Sequence, residues 1–136
     1  MRYLIDTQIL IWAVISPEKL SQRTKKLLQN NDIFVSQITF FEIAIKQKIG
    51  KLPQLNMPIS ALSKRVEQDG FNLLFLETRH IAAYEDIPLL TTHRDPFDRI
   101  LLATAFSENI PIISADTNFE FYLPQVQVII NWFYNP

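Results

Sequence analysis

No cysteine occurs anywhere in the 136-residue chain, which excludes disulfides, thiolate metal sites and a cysteine nucleophile and fits a reducing cytosol. Charge of one sign is not in excess either. A net charge of −1 argues against holding nucleic acid through an overall positive field, so such a substrate would need a local basic patch helped by a metal. No apolar run approaches a membrane span, and the stretch from Ile9 to Ile15 is far too short. Met1 and Arg2 lead straight into a strand-like run, so neither a signal peptide nor a membrane partner is expected, and a cytoplasmic location is. Internal repeats and low-complexity tails are lacking too. What remains is 48 % apolar and 20 % charged, the balance of one globular domain with a sizeable core, expected to span residues 1–136.

The clearest local signal is the stretch from Thr92 to Ala105. Asp95 is a good helix N-cap, and Pro96 falls at the first helical position, where a missing N–H costs nothing. Asp98 then sits in the first turn, near the positive end of the helix dipole. Behind it Ile100, Leu101, Ala103, Thr104 and Ala105 make a largely apolar helix through about Glu108.

Elsewhere, short apolar runs alternate with helical patterns. Tyr3-Leu4-Ile5 reads as a buried strand that stops at Asp6-Thr7, and Gln8 to Val14 as a helix buried on most sides. Ser16 is expected to cap a second helix through about Gln29, with Leu20, Leu27 and Leu28 inward. Ile33-Phe34-Val35 is a second strand, and Ser36 caps a helix to about Lys48 whose Ile38, Phe41, Ile45 and Ile49 fit the three-and-four spacing of an inner face. Gly50 is the expected stop. Pro58 opens a helix through about Gln68, Phe71 to Leu76 is a third strand, and Thr78 caps a short helix to about Tyr84. Ile110 to Ile113 is a fourth strand, Phe119 and Tyr122 suggest a helical turn, and Val126 to Ile130 is a last strand. Such alternation means an α/β layered fold with a mainly parallel sheet, whose sites form outside the carboxyl ends of the strands.

Four acids fall at strand ends or on adjoining helices: Asp6 after the first strand, Glu42 early in the third helix, Asp98, and Asp116 after the fourth strand. Singly, each has a bland role as a cap or a solvated residue, although the apolar neighbours of Glu42 (Phe40, Phe41, Ile43, Ala44) would hydrate it poorly. Jointly, if the sheet is parallel, all four are expected to converge on one of its edges. Converging carboxylates repel unless a cation is present, and Mg²⁺ or Mn²⁺ prefers oxygen ligands. A metal held this way activates water and binds a phosphoryl oxygen, which is the chemistry of phosphodiester hydrolysis.

Leu4-Ile5-Asp6-Thr7, Glu42 within Thr39–Ala44, His93-Arg94-Asp95-Pro96-Phe97-Asp98-Arg99 and Ile113-Ser114-Ala115-Asp116-Thr117-Asn118-Phe119 occur in that order. The ordered set resembles the PIN-domain ribonucleases, in particular the VapC-like toxins of type II toxin–antitoxin systems. That resemblance covers essentially the whole chain. It implies a three-layer sandwich with a mainly parallel five-stranded sheet flanked by helices, and metal-dependent endonucleolytic cleavage of RNA. It also implies a homodimer and a cognate antitoxin whose tail blocks the site. Asp6, Glu42, Asp98 and Asp116 match the acidic quartet, with Asp6, Asp98 and Asp116 holding one or two Mg²⁺ or Mn²⁺ ions and Glu42 completing the site or positioning water. Ser114 matches a supporting hydroxyl residue, Thr7 is expected to bond to Asp6, and Asp95 is assigned to helix capping. Gln8 departs from the Asn or His common among relatives.

For the RNA backbone the basic candidates are Arg99, Arg94 and Lys46, with Lys48 and Lys51 behind, and Arg99 is favoured because it adjoins Asp98. Trp12 and Trp132-Phe133-Tyr134 are candidates for protein interfaces. Two rivals fail on the same strand end. A haloacid-dehalogenase phosphatase needs a second Asp two residues after the first, where Gln8 stands. A signalling receiver needs an acidic pair there and a late lysine, yet no lysine follows Lys64. A PIN fold that binds RNA or protein without cutting is the remaining alternative, and the presence of all four acids weighs against it.

Overall fold

A computed structural model describes residues 1–133; Tyr134, one of the aromatic interface candidates, lies outside them. Five strands form one sheet: β1 (Arg2–Ile5), β2 (Asp32–Ser36), β3 (Asn72–Leu74), β4 (Ile112–Ser114) and β5 (Val128–Ile130). Their order is β3-β2-β1-β4-β5, and every neighbouring pair is parallel. Parallel pairing forces a crossover between successive strands, and the intervening helices supply it. These are α1 (Thr7–Ile15), α2 (Gln22–Asn30), α3 (Gln37–Lys48), α4 (Ile59–Gln68), α5 (Thr78–Ala82) and α6 (Pro96–Glu108).

Side chains alternate across the central strands, so the sheet separates two cores. Tyr3, Ile5 and Ile113 join Ile9, Leu10, Ile43, Leu62 and Val66 from α1, α3 and α4. Leu4 and Ile112 join Leu101, Leu102 and Ala105 of α6 and Phe119 and Tyr122. The chain therefore forms helix, sheet and helix layers, as the alternating pattern led us to expect. Successive strands add in one direction from β1 to β3, and β4 then returns to the other side of β1. That reversal between β1 and β4 leaves a crevice at their carboxyl ends, where ligands of open parallel sheets bind.

Three local readings need correction. Ser16 makes no side-chain cap; a 3₁₀ turn over Pro17–Lys19 intervenes, and Ser21 caps α2 by accepting from the Thr24 N–H. Glu77 rather than Thr78 is the N-cap of α5. On α3, Phe41 and Ile49 are each 58 % exposed, whereas Thr39, Phe40, Glu42 and Ile43 are buried. Ile38 does pack against the core, but the buried face combines Thr39 and Glu42 with Phe40 and Ile43, so the expected apolar spacing failed at Phe41 and Ile49. Gly50 does follow the end of α3 with a φ of 73°, a left-handed conformation that glycine adopts without strain. No helix among the described residues is long and apolar enough to cross a membrane.

Candidate metal centre

Asp6 leaves β1 and caps α1, its Oδ1 accepting from the Ile9 N–H at 2.8 Å. Oδ2 accepts from Ser114 Oγ at 2.6 Å and from the Ala115 N–H at 3.2 Å, which ties the end of β1 to the end of β4. Burial pushes the carboxyl up to about 6, with Glu42 adding to the rise and the bonds from Ser114, Ile9 and Ala115 opposing it.

Glu42 arrives from the second turn of α3 and is buried. Thr7 Oγ1 donates to its Oε1 at 2.7 Å, and Lys46, one turn later, lies 3.2 Å from its Oε2. Thr7 thus serves Glu42, not Asp6 as the sequence led us to expect: its hydroxyl faces α3 across the helix pair, with Thr39 Oγ1 at 3.2 Å.

Asp98 stands in the first turn of α6, behind the cap in which Asp95 Oδ1 accepts from the Phe97 N–H at 2.8 Å. Burial again pushes its carboxyl up to about 6, with Asp95 and Asp6 raising it further and the bond with His93 opposing. Asp116 follows β4 and caps a 3₁₀ turn over Thr117–Tyr122, accepting from the Asn118 N–H at 2.9 Å. Its own N–H donates to Ser114 Oγ at 2.9 Å, so one hydroxyl links Asp6 and Asp116.

These acids line one cavity of about 400 Å³ together with Thr7, Gln8, Trp12, Lys46, Asp95 and Ala115. Five carboxylates there face a single lysine, and that excess of hard oxygen donors over protein cations fits a Mg²⁺- or Mn²⁺-type ion better than a softer metal. A larger groove of about 580 Å³, lined by Ile38, Phe40, Phe41, Leu73 and Phe75, has no titratable side chain in its wall and offers no such chemistry.

The basic candidates separate. Lys46 lines the cavity, while Arg94, Lys48 and Lys51 are exposed and outside its wall. Arg99 is a correction. Its guanidinium is buried, donating to Tyr84 Oη at 2.9 Å and to the carbonyls of Pro88 and Ile87 at 2.6 and 2.9 Å. Burial and three internal acceptors turn it away from any RNA, and it instead staples the segment before α6 onto that helix. Trp12 is half-buried in the cavity wall with Lys19 Nζ 5.9 Å from its ring, whereas Trp132 and Phe133 are exposed.

One residue went unassigned in the sequence. His93 is buried, with Nε2 3.0 Å from Asp98 Oδ2 and 3.8 Å from Asp116 Oδ2, and these three side chains are close enough to share an ion. Its place five residues before Asp98 was the available signal, but its direction depends on a loop that no periodicity describes.

The PIN-domain family model matches residues 3–122. Among solved structures, the chain is similar to FitAcB from Neisseria gonorrhoeae at 22 % identity, covering 97 % of this chain and 99 % of that one with a TM-score of 0.66. VapBC-1 from nontypeable Haemophilus influenzae matches at 21 % identity, 96 % and 98 % coverage and a TM-score of 0.63. DNA-bound VapBC from Salmonella typhimurium matches at 15 % identity, 97 % and 99 % coverage and a TM-score of 0.65. These likenesses establish a shared fold. No curated protein matches by sequence.

Proposed function

The chain belongs to the PIN-domain family, and on that premise we propose that it is a metal-dependent endoribonuclease, the toxin of a VapBC-type toxin–antitoxin pair. The observation that carries the reading is the convergence of Asp6, Glu42, Asp98 and Asp116, drawn from four separate elements, on one cavity at the reversal between β1 and β4. A scaffold that brings mutually repelling carboxylates together forgoes stability, and a bound cation offsets that cost.

Asp6, Asp98 and Asp116 would hold the ion. When bound, a Mg²⁺ or Mn²⁺ ion supplies positive charge for a phosphoryl oxygen and eases ionisation of a water. Glu42 takes the proton from the attacking water, with Thr7 fixing one carboxylate oxygen and Lys46 beside the other. The water oxygen bonds to phosphorus as the bond to the departing ribose oxygen breaks, and that oxygen takes up a proton from bulk water to leave as a hydroxyl. Lys46 is the cavity's own cation for an RNA phosphate. Ser114 keeps Asp6 and Asp116 in register, and Asp95 sets the start of α6.

A further structure of similar fold, from Klebsiella pneumoniae, is described as a toxin–antitoxin complex, which supports a cognate antitoxin as partner here; a homodimer and a cytoplasmic site of action belong to the same proposal. Exposed Trp132 and Phe133 offer apolar area for one of those contacts.

The test is cleavage of a structured RNA pool by protein stripped of antitoxin, with Mg²⁺ or Mn²⁺, beside EDTA and Asp6→Asn. Cleavage is expected to require both the metal and Asp6. Activity that survives either change would overturn the mechanism. Tight RNA or protein binding without cleavage would replace it with a non-catalytic binding module.

A further inference from the structure

His93 is buried behind the acidic cavity, yet both ring nitrogens are engaged. Nδ1 lies 2.8 Å from Tyr122 Oη, and Nε2 lies 3.0 Å from Asp98 Oδ2. The rings of Phe119 and Tyr122 pack against it with centroids 5.5 Å away, so it cannot swing aside without losing that packing and both bonds. The partners also decide the tautomer. An ionised carboxylate only accepts, so the nitrogen facing Asp98 must carry the proton. Nδ1 is then an acceptor, and the Tyr122 hydroxyl donates to it. With Nε2 protonated, no lone pair at that position is free for a cation.

Resting on the reading of Asp98 and Asp116 as cation ligands, we propose that His93 is the positioning residue of the cavity, holding these two acids at the spacing of one ion without itself binding that ion. Asp98 comes from α6 and Asp116 from the end of β4, so no local geometry fixes their separation. A single N–H placed 3.0 Å from one carboxylate and 3.8 Å from the other offsets part of their repulsion. Hydrogen-bonded partners of this kind set the orientation of metal-binding carboxylates. Tyr122, itself 2 % exposed, locks the ring from the far side.

The test is Mn²⁺ titration of the full chain by calorimetry, with thermal unfolding of each variant alongside. His93→Ala is expected to weaken Mn²⁺ binding about 10- to 100-fold. His93→Gln, whose amide N–H reaches the position of Nε2, is expected to recover most of that loss. His93→Asn, whose donor stops at the Nδ1 position, is expected to remain weak at an unfolding temperature matching that of the Gln variant. Tyr122→Phe is expected to weaken binding by less than His93→Ala. If Gln and Asn variants bind alike at equal stability, His93 is structural filler and the proposal falls. Imidazole nitrogen coupling in the Mn²⁺ electron-spin spectrum of the wild-type chain would make His93 a ligand and also overturn it. Failure of the wild-type chain to take Mn²⁺ would remove the cation reading and this one together, whereas wild-type binding with a Gln variant as weak as Ala would remove this one alone.

Discussion

Two buried histidines in this molecule each stand between carboxylates, and their surroundings differ in one respect. His80 accepts from the Glu77 N–H at 3.0 Å and lies 2.8 Å from Glu108 Oε2, while Arg79 pairs with both Glu77 and Glu108. That cluster holds its own cation, with Arg79 and His80 both on Glu108 Oε2. His93 stands between Asp98 and Asp116, with Asp6 and Asp95 also acting to raise the Asp98 carboxyl and no arginine among the residues lining the cavity. Similar ligand sets therefore have opposite meanings. Where the protein supplies the counter-charge, the cluster is a clasp, here between α5 and the end of α6. Where a single lysine faces five carboxylates at the carboxyl ends of a parallel sheet, the cluster supports the proposed metal site.

The comparison is broken most severely by neutralising one acid in each cluster. Asp116→Asn is expected to lower RNA cleavage by about 100-fold or more, while Glu108→Gln leaves cleavage near wild type at a temperature where both are folded. Equal losses in initial rate would mean that the two clusters do not differ in kind.

A smaller effect with a clearer sign comes from stability in EDTA at pH 7.5. Asp6 is fully buried with its carboxyl raised to about 6, so keeping it ionised costs on the order of 3 kcal/mol at neutral pH. Asp98→Asn is expected to raise the unfolding temperature, because it removes one of the repelling charges. His80→Ala is expected to cost about 2–3 kcal/mol, from the cavity it leaves and the bonds it breaks. Calorimetry that finds the same sign for both would contradict the distinction.

The pH dependence sharpens the same point. For Asp6 and Asp98 the folded carboxyl is raised, so the native state holds these protons more tightly than the unfolded chain. Their stabilising contribution in EDTA is present below about pH 4 and is lost as pH rises through about 6. Mn²⁺ needs the ionised forms, so its stabilising effect should grow over the same interval. Melting curves with and without Mn²⁺ should diverge between pH 5 and pH 7.5, and a constant gap would count against the assignment. The smallest effect is expected for Thr7→Val, which frees one oxygen of Glu42 and should slow cleavage by about 10-fold or less without changing Mn²⁺ affinity.

Features specified within a few residues were legible before any coordinates. Asp95 and Pro96 mark the start of α6, and the helix runs from Pro96 to Glu108 as expected. Asp6 and Asp116 could be placed at strand ends because the strands are short, apolar and followed by capping residues. Contacts that join distant segments were not legible. Thr7 meets Glu42 across 35 residues, and two of the three partners of Arg99 are the backbone carbonyls of Ile87 and Pro88, which no side-chain pattern encodes. Helix α3 misled in part for a related reason: its buried face mixes polar Thr39 and Glu42, which meet Thr7 of α1, with Phe40 and Ile43, so a purely apolar periodicity does not mark it. His93 escaped because its role depends on Tyr122, 29 residues away.

The most direct test of the difference between the two clusters is a crystal soaked in Mn²⁺ and measured for anomalous scattering. The account predicts a peak between the carboxylates of Asp6, Asp98 and Asp116 and none beside His80. An empty acidic cavity, or an ion bound at Glu77, His80 and Glu108 instead, would contradict it.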